Sequence, residues 1–400
     1  MVQSREVQGS PGPSAVTFTA NTKRAAAGLC VVLCAALAVS ADTREKAAPL
    51  RISILSKHLR LLKERPSAKL TLCFPDGTAL RAEDGAPTGC RTLEIAYGRS
   101  FELRRDGERL EPPYSIALSP ESTDAAFRIQ LQGEKTPRIY PLPLTIRGTA
   151  NTLSIVCEED PARYAADSAA AEFGPTGTAG SEALAALTMV IYARAKEHAR
   201  SPRHDDAVFC DLTHCQTWKG RTGAPPFSGA GIDRASFRDG LFFTGCCGGE
   251  TCSAAVFGGT AAQTKTVRDR LSSTGGWLCR SPAEKWIRDL PLPECGEILH
   301  PDSRETPLSA IYVRERSAVR IQYPDREELL PAEDFRLRIN RVRGWSFIRS
   351  NNYDLRCDGG VMHFEGYGIG HGVGLCQRGA LALSKLGFSR YEILEHYYPG

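Results

Sequence analysis

Four residues able to ligate a soft metal fall within twelve positions: His204, Cys210, His214 and Cys215. Two imidazoles and two thiols make a complete tetrahedral donor set for zinc. Four protein ligands leave no open position, so such a Zn²⁺ ion would be structural and would not activate water. The competing reading is a Cys210–Cys215 disulfide flanked by two surface histidines. Further on, Cys246-Cys247-Gly248-Gly249-Glu250-Thr251-Cys252 sets three thiols around a glycine pair, with Cys279 and Cys295 beyond. Adjacent cysteines seldom bond to each other. Disulfides to distant partners, stapling the loop around Gly248 and Gly249, are therefore expected here in preference to a second metal. Glycine then occupies every second position from Gly366 to Gly374. In a strand these glycines share one face, bare of side chains, on which a ligand or another backbone can lie directly. The opposite face would carry Tyr367, Ile369, His371, Val373 and Leu375, with His371 its one polar group. Gln377 would open a helix whose N-terminal amides can hold an acceptor. Lastly, Glu172 follows Ala169-Ala170-Ala171. A carboxyl in apolar surroundings stays protonated near neutral pH and can serve as a general acid. A solvated helical glutamate is the ordinary alternative.

The elements that must position these groups show in the hydrophobic periodicity. From Leu50 to about Arg147 short alternating segments are broken by turns: Leu70–Phe74, Thr92–Tyr97 and Phe127–Leu131 read as half-buried strands. Near 148 the character changes. Leu153–Val156 reads as a strand, and helices are expected over Tyr164–Phe173 and Ser181–His198, with Ser181 as N-cap and Glu182 favouring the helix dipole. A Gly- and Cys-rich middle follows, then a charged strand region from 310 to 350 and a C-terminal unit from Arg349 to Gly400. The fold class is α+β, a β-rich region over 42–147 followed by a mixed domain over 148–400. No P-loop or dinucleotide fingerprint is present.

With 50 Lys+Arg against 46 Asp+Glu in 400 residues, the net charge is +4, too balanced for a nucleic-acid binder. Of the fourteen cysteines, twelve follow the N-terminal apolar run, an even set that fits disulfides, metal ligation or both. Lys23 and Arg24 precede an apolar run from Ala25 to Val39, closed by Ser40 and Ala41. This pattern predicts a secretory signal over 1–41, or an uncleaved anchor, and thus an exported protein of the periplasm, cell envelope or exterior.

Taken in order, these motifs resemble the stage II sporulation protein D/LytB amidase-enhancer family over roughly Leu144–Gly400. Gly366–Ala380 is similar to its GxGHGVGxxQxGA signature and continues into Gly387-Phe388-Ser389 and Ile393–Gly400. Cys210-Asp211-Leu212-Thr213-His214-Cys215-Gln216 is similar to its CDxTHCQ segment, and Gly248–Thr251 to its GG-x-T loop. Tyr164, Glu172 and Glu182-Ala183-Leu184 match its Y-x7-E…EAL pattern. The resemblance implies a peptidoglycan lytic transglycosylase with Glu172 as its single catalytic carboxylate. It implies zinc on the His204, Cys210, His214 and Cys215 set. It also implies a glycan groove lined by Gly248, Gly249, Gly368, Gly370, His371, Gly372 and Gln377. Other members enhance cell-wall amidases without needing catalysis, so an amidase is the alternative partner. The helix after Glu182 departs from the family: Leu187 stands for its glutamine, Tyr192 for its arginine, and Ala162-Arg163 for the acidic pair before Tyr164.

Overall fold

A computed structural model describes residues 48–400 except 66–67, 77, 83–87, 120–124, 132–133, 175–179, 200–203, 205, 212–214, 216–217, 229–241, 259–265, 272–274 and 400. The expected export segment, 1–41, lies outside the described residues. The fold is α+β.

Alternation builds the first half. Leu70 and Leu72 of Lys69–Cys73, Leu93 and Ile95 of Thr92–Tyr97, and Phe101 and Leu103 of Phe101–Arg105 turn inward at every second residue. These strands lie in a six-stranded sheet in the order Arg138–Pro141, Ala126–Ile129, Lys69–Cys73, Thr92–Tyr97, Phe101–Arg105, Glu108–Leu110. A seven-stranded sheet runs Phe209–Cys210, Leu50–Ser53, Leu153–Glu159, Leu144–Gly148, Tyr114–Ser119, Ala79–Ala82, Thr88–Gly89. One hydrophobic core serves both sheets and the helices beyond them, joining Ile52, Leu72, Ile95 and Ile146 to Leu187, Val190, Leu383 and Leu394. Position 147/148 lies inside a hairpin, where Ile146 faces Ile155, and Ala48–Gly400 form one compact unit.

Helix Pro161–Phe173 starts as its sequence dictates. Asp160 accepts the N–H groups of Ala162 (2.9 Å) and Arg163 (3.0 Å), and Pro161 occupies the first turn, where a missing N–H costs nothing. Helix Ser181–His198 has Gly180 at its N-cap in place of the expected Ser181, with no side-chain cap. Glu182 instead reaches the C-terminal helix Arg390–Tyr397. Its carboxylate accepts the Arg390 backbone N–H (2.8 Å) and the guanidinium Nε–H (3.0 Å) and Nη2–H (2.7 Å).

Residues 285–367 form a lobe with a second core of Leu290, Val319, Ile321, Phe335, Ile339 and Phe364. Two three-stranded sheets build it, Lys285–Pro291, Val361–Tyr367, Tyr353–Asp358 and Ser309–Val313, Ala318–Gln322, Glu327–Pro331. The charged stretch read as strand up to 350 also contains a helix, Ala332–Arg343. Its first turn is acidic, its last turn basic, and Phe335 and Ile339 share one buried face. No helix among the described residues is long and apolar enough to cross a membrane.

Candidate functional site

Strand Phe209–Cys210 runs parallel to Leu50–Ser53, which buries Cys210 at the sheet edge. The ligand atoms of His204, Cys210 and Cys215 lie within 4.8 Å of one another, with His204 Nε2 3.1 Å from Cys215 Sγ. Cys210 and Cys215 are thiols and not a disulfide. Three of the four expected zinc ligands thus converge in a donor set that suits the ion. His214 lies outside the described residues. Asp211 of the same motif has another task. It accepts the N–H groups of Leu55 (2.7 Å) and Ser56 (3.3 Å) and so caps helix Ser56–Glu64, which starts from a left-handed Leu55 (φ 60°) with no cap of its own. Asp211→Ala is expected to cost about 0.5–2 kcal/mol in denaturant unfolding. Unchanged stability would remove that role.

Glu172 stands in the last turn of helix Pro161–Phe173, half-buried, just before Gly174, which ends the helix with φ 64°. Tyr164, two turns earlier, fixes the helix to the His/Cys cluster. Its buried ring stacks on Phe209 at 5.5 Å and 6° and leans on Trp218 at 5.6 Å. Asp167 on the same helix is fully buried. Its Oδ1 accepts the backbone N–H and hydroxyl of Thr222 (both 2.7 Å), and burial raises its pKa. Helix Ser181–His198 lies against the Glu172 helix and against helices Gln377–Lys385 and Arg390–Tyr397. Its larger side chains are absorbed locally. Leu187 is in the core, Tyr192 packs on Phe227 at 5.5 Å, and the Arg194 guanidinium lies over Phe242 and Phe243 at 5.8 and 5.9 Å.

The glycine run is not a continuous strand. The strand ends at Tyr367, and Gly368, Gly370, Gly372 and Gly374 all adopt positive φ, from 75° to 98°. Their alternation with Ile369, His371 and Val373 makes a run with period two but no extended backbone. What lies close against it is the chain's own segment 242–252. A Cβ at Gly368 would stand 2.4 Å from the Cys246 carbonyl oxygen, one at Gly374 2.0 Å from that of Phe242, and one at Gly370 2.7 Å from Thr244 Oγ1. At Gly372 the neighbour is Cys252 Sγ, at 3.0 Å. Bridges Cys246–Ile369 and Cys252–Val373 hold the two segments together. Gly248 (φ 80°) is buried against the Tyr367 carbonyl, and Gly249 (φ 114°) lies against Trp277 and Arg280. Gln377 is the half-buried first residue of its helix.

His371 serves this packing. Its Nδ1 accepts the Val373 N–H (3.0 Å), and its ring lies against Phe257 at 5.2 Å. Burial pushes its pKa down to about 4. An unfolded histidine titrates near its ordinary value, about 6.5, while the folded one stays neutral. Stability from neutral His371 is therefore complete above about pH 6.5 and is lost as pH falls toward 4. Unfolding midpoints measured across this range should decline, and His371→Gln should flatten the decline. An equal slope in the variant would assign the acid limb to other groups.

The second cysteine group departs from expectation. Cys246, Cys247, Cys279 and Cys376 are all buried thiols, so no disulfide staples the glycine loop. Cys246 and Cys247 do not reach outward to separate partners. Cys247, Cys279 and Cys376 converge from three segments on Asp269, all four ligand atoms lying within 4.8 Å of one another, a donor set that could hold a metal ion. The neighbouring thiols, Cys246 first and then Cys247 and Cys376, hold the pKa of Cys279 well down, while burial raises those of Cys247 and Cys376. Burial, and then the neighbouring Cys279, push Asp269 up to about 7.

Beside the glycine pair stands a surface that the sequence did not flag. Trp277 is 42% exposed, with the guanidinium groups of Arg270 and Arg280 over its ring at 5.6 and 5.5 Å, and Arg280 also lies 4.0 Å above the Tyr367 ring. Aromatic and cationic residues at isolated positions carry no motif, so only the fold reveals this grouping.

No family model matches the chain. An uncharacterized protein of Brachyspira hyodysenteriae is similar to it, 24% identical over 233 residues that cover 55% of this chain and 59% of that relative. The chain thus matches less than two thirds of the relative's length.

Proposed function

We propose that this chain is an exported protein of the stage II sporulation protein D/LytB type that cleaves peptidoglycan glycan strands as a lytic transglycosylase. The observation that carries this reading is the setting of Glu172, which is half-buried after three alanines on a helix tied through Tyr164 to the His/Cys cluster. The substrate bond is that between N-acetylmuramic acid and N-acetylglucosamine. Protonated Glu172 gives its proton to the glycosidic oxygen as the C1–O bond breaks. The resulting carboxylate takes the proton of the muramic acid C6 hydroxyl as that oxygen bonds to C1. A 1,6-anhydro end forms, no water is consumed, and Glu172 is protonated again. One carboxylate suffices because the nucleophile belongs to the substrate, so proximity replaces the second carboxylate of ordinary glycosidases. The exposed part of Trp277 offers an apolar contact for a sugar, and the Arg270 and Arg280 guanidinium groups over its ring offer cations for the carboxylates of the wall. Gly249 then packs directly against this surface, with Gly248 beside it. Zinc, held by His204, Cys210, Cys215 and His214, would fix the loop behind Tyr164 and take no part in the chemistry.

A second reading, a peptidoglycan-binding enhancer of a cell-wall amidase without catalysis of its own, is favoured by one observation. The helix Ser181–His198 buries Leu187 and packs Tyr192 where the family presents polar side chains. Incubating purified protein with glycan strands separates the two. Release of anhydro-ended fragments supports the lyase. Binding without release, together with stimulation of an added amidase, supports the enhancer.

A further inference from the structure

We propose that Cys247, Cys279, Cys376 and Asp269 bind a second, buried, thiophilic divalent metal ion of the zinc class, distinct from the His204 cluster. The donors come from three places in the chain: Asp269 and Cys279 flank one turn bridged at Arg270–Trp277, and Cys247 and Cys376 meet them from distant segments, so no local motif accounts for the whole set. All four are almost wholly buried, at 0%, 6%, 0% and 0% exposure in that order. Cys247 Sγ and Cys279 Sγ stand 3.5 Å apart. A bonded sulfur pair needs about 2.05 Å, whereas a tetrahedron with zinc–sulfur arms of about 2.3 Å has edges near 3.8 Å. One disulfide would also leave a third thiol and a buried carboxyl stranded beside it.

The surroundings are built for anionic ligands. Cys376 Sγ accepts the backbone N–H groups of Cys247 and Gly379 (both 3.4 Å), at the N-terminus of helix Gln377–Lys385. Backbone donors and a helix N-terminus both favour a thiolate. Asp269 Oδ1 accepts the Tyr397 hydroxyl (2.5 Å), which orients the carboxylate as supporting residues orient metal ligands elsewhere. Its Oδ2 is buried without a hydrogen-bond partner, an oxygen that a cation would satisfy. Cys246 stands just outside the set, its thiol directed to the Cys279 carbonyl oxygen (3.7 Å). Gly379 completes the fit. A Cβ there would stand 2.0 Å from Tyr397 Oη and 2.4 Å from Asp269 Oδ1, so only glycine lets the helix approach. Three thiolates and a carboxylate close the coordination sphere, which makes the ion structural. It would clamp the glycine-pair loop, the Cys279 segment and the end of the glycine run to one point.

The test uses full-length protein purified without chelator. Cys210→Ser/Cys215→Ser removes the His204 cluster, and elemental analysis of this variant should still find about one zinc per chain. Adding Cys376→Ser should remove that ion, while adding Cys246→Ser should leave it. Wild-type protein supplies a check that needs no variant. Alkylation followed by peptide mapping should find Cys247, Cys279 and Cys376 protected until a strong chelator is added, and then modified as thiols. A disulfide between any two of these three would overturn the proposal. So would a folded double variant without metal, or retention of the ion after Cys376→Ser.

Discussion

Glu172→Gln is expected to leave the fold intact and to abolish the release of anhydro-ended glycan. Glutamine keeps the shape and much of the hydrogen bonding of the side chain but cannot cycle a proton. General acid–base help is typically worth about 10²–10⁴-fold. In the proposed mechanism one group serves as acid and then as base, so the loss should lie at or beyond the top of that range. Glu172 is half-buried in the last turn of its helix, and Asp160, Pro161 and Tyr164 secure that helix at its other end. The far-ultraviolet circular dichroism and unfolding midpoint should therefore stay at wild-type values. Equal release by the variant and wild type would remove Glu172 from the chemistry.

The second large effect concerns stability. Gly374→Val is expected to cost more than about 3 kcal/mol and to leave little folded protein. Two penalties combine. The backbone is left-handed (φ 75°), and the first side-chain atom would meet the Phe242 carbonyl oxygen at 2.0 Å, where only a backbone shift relieves the clash. Gly370→Ala should be milder, because the atom in the way is the Thr244 hydroxyl at 2.7 Å. Denaturant unfolding of the two variants should rank them in that order. Wild-type stability in both, with loss of glycan binding, would return the glycine run to the role of a ligand surface.

Much of the fold was legible because burial repeats. Leu70, Leu72, Leu93 and Ile95 alternate as their strands require, and helix Ser181–His198 announced itself through Leu187, Val190 and Ile191. Helix Ala332–Arg343 was hidden among charges because its buried face has few apolar residues. The glycine run misled for a definite reason. Residues that alternate with positive-φ glycines have the same period in sequence as a strand. The His204 cluster was legible because its candidate ligands are close in sequence, whereas Cys247 and Cys376 meet the Asp269–Cys279 turn only through tertiary folding. Asp211, which lies within a metal-ligand motif, proved to be a helix cap for a segment more than 150 residues earlier. No spacing rule connects the two.

As proposed, the chain breaks glycan strands with Glu172 as its only acid and base. The most direct test of this proposal is mass spectrometry of purified glycan strands after incubation with wild-type and Glu172→Gln protein side by side. The account predicts fragments ending in 1,6-anhydro-N-acetylmuramic acid from the wild type and none from the variant. Fragments carrying a reducing end with an added water, or equal anhydro release from both proteins, would contradict it.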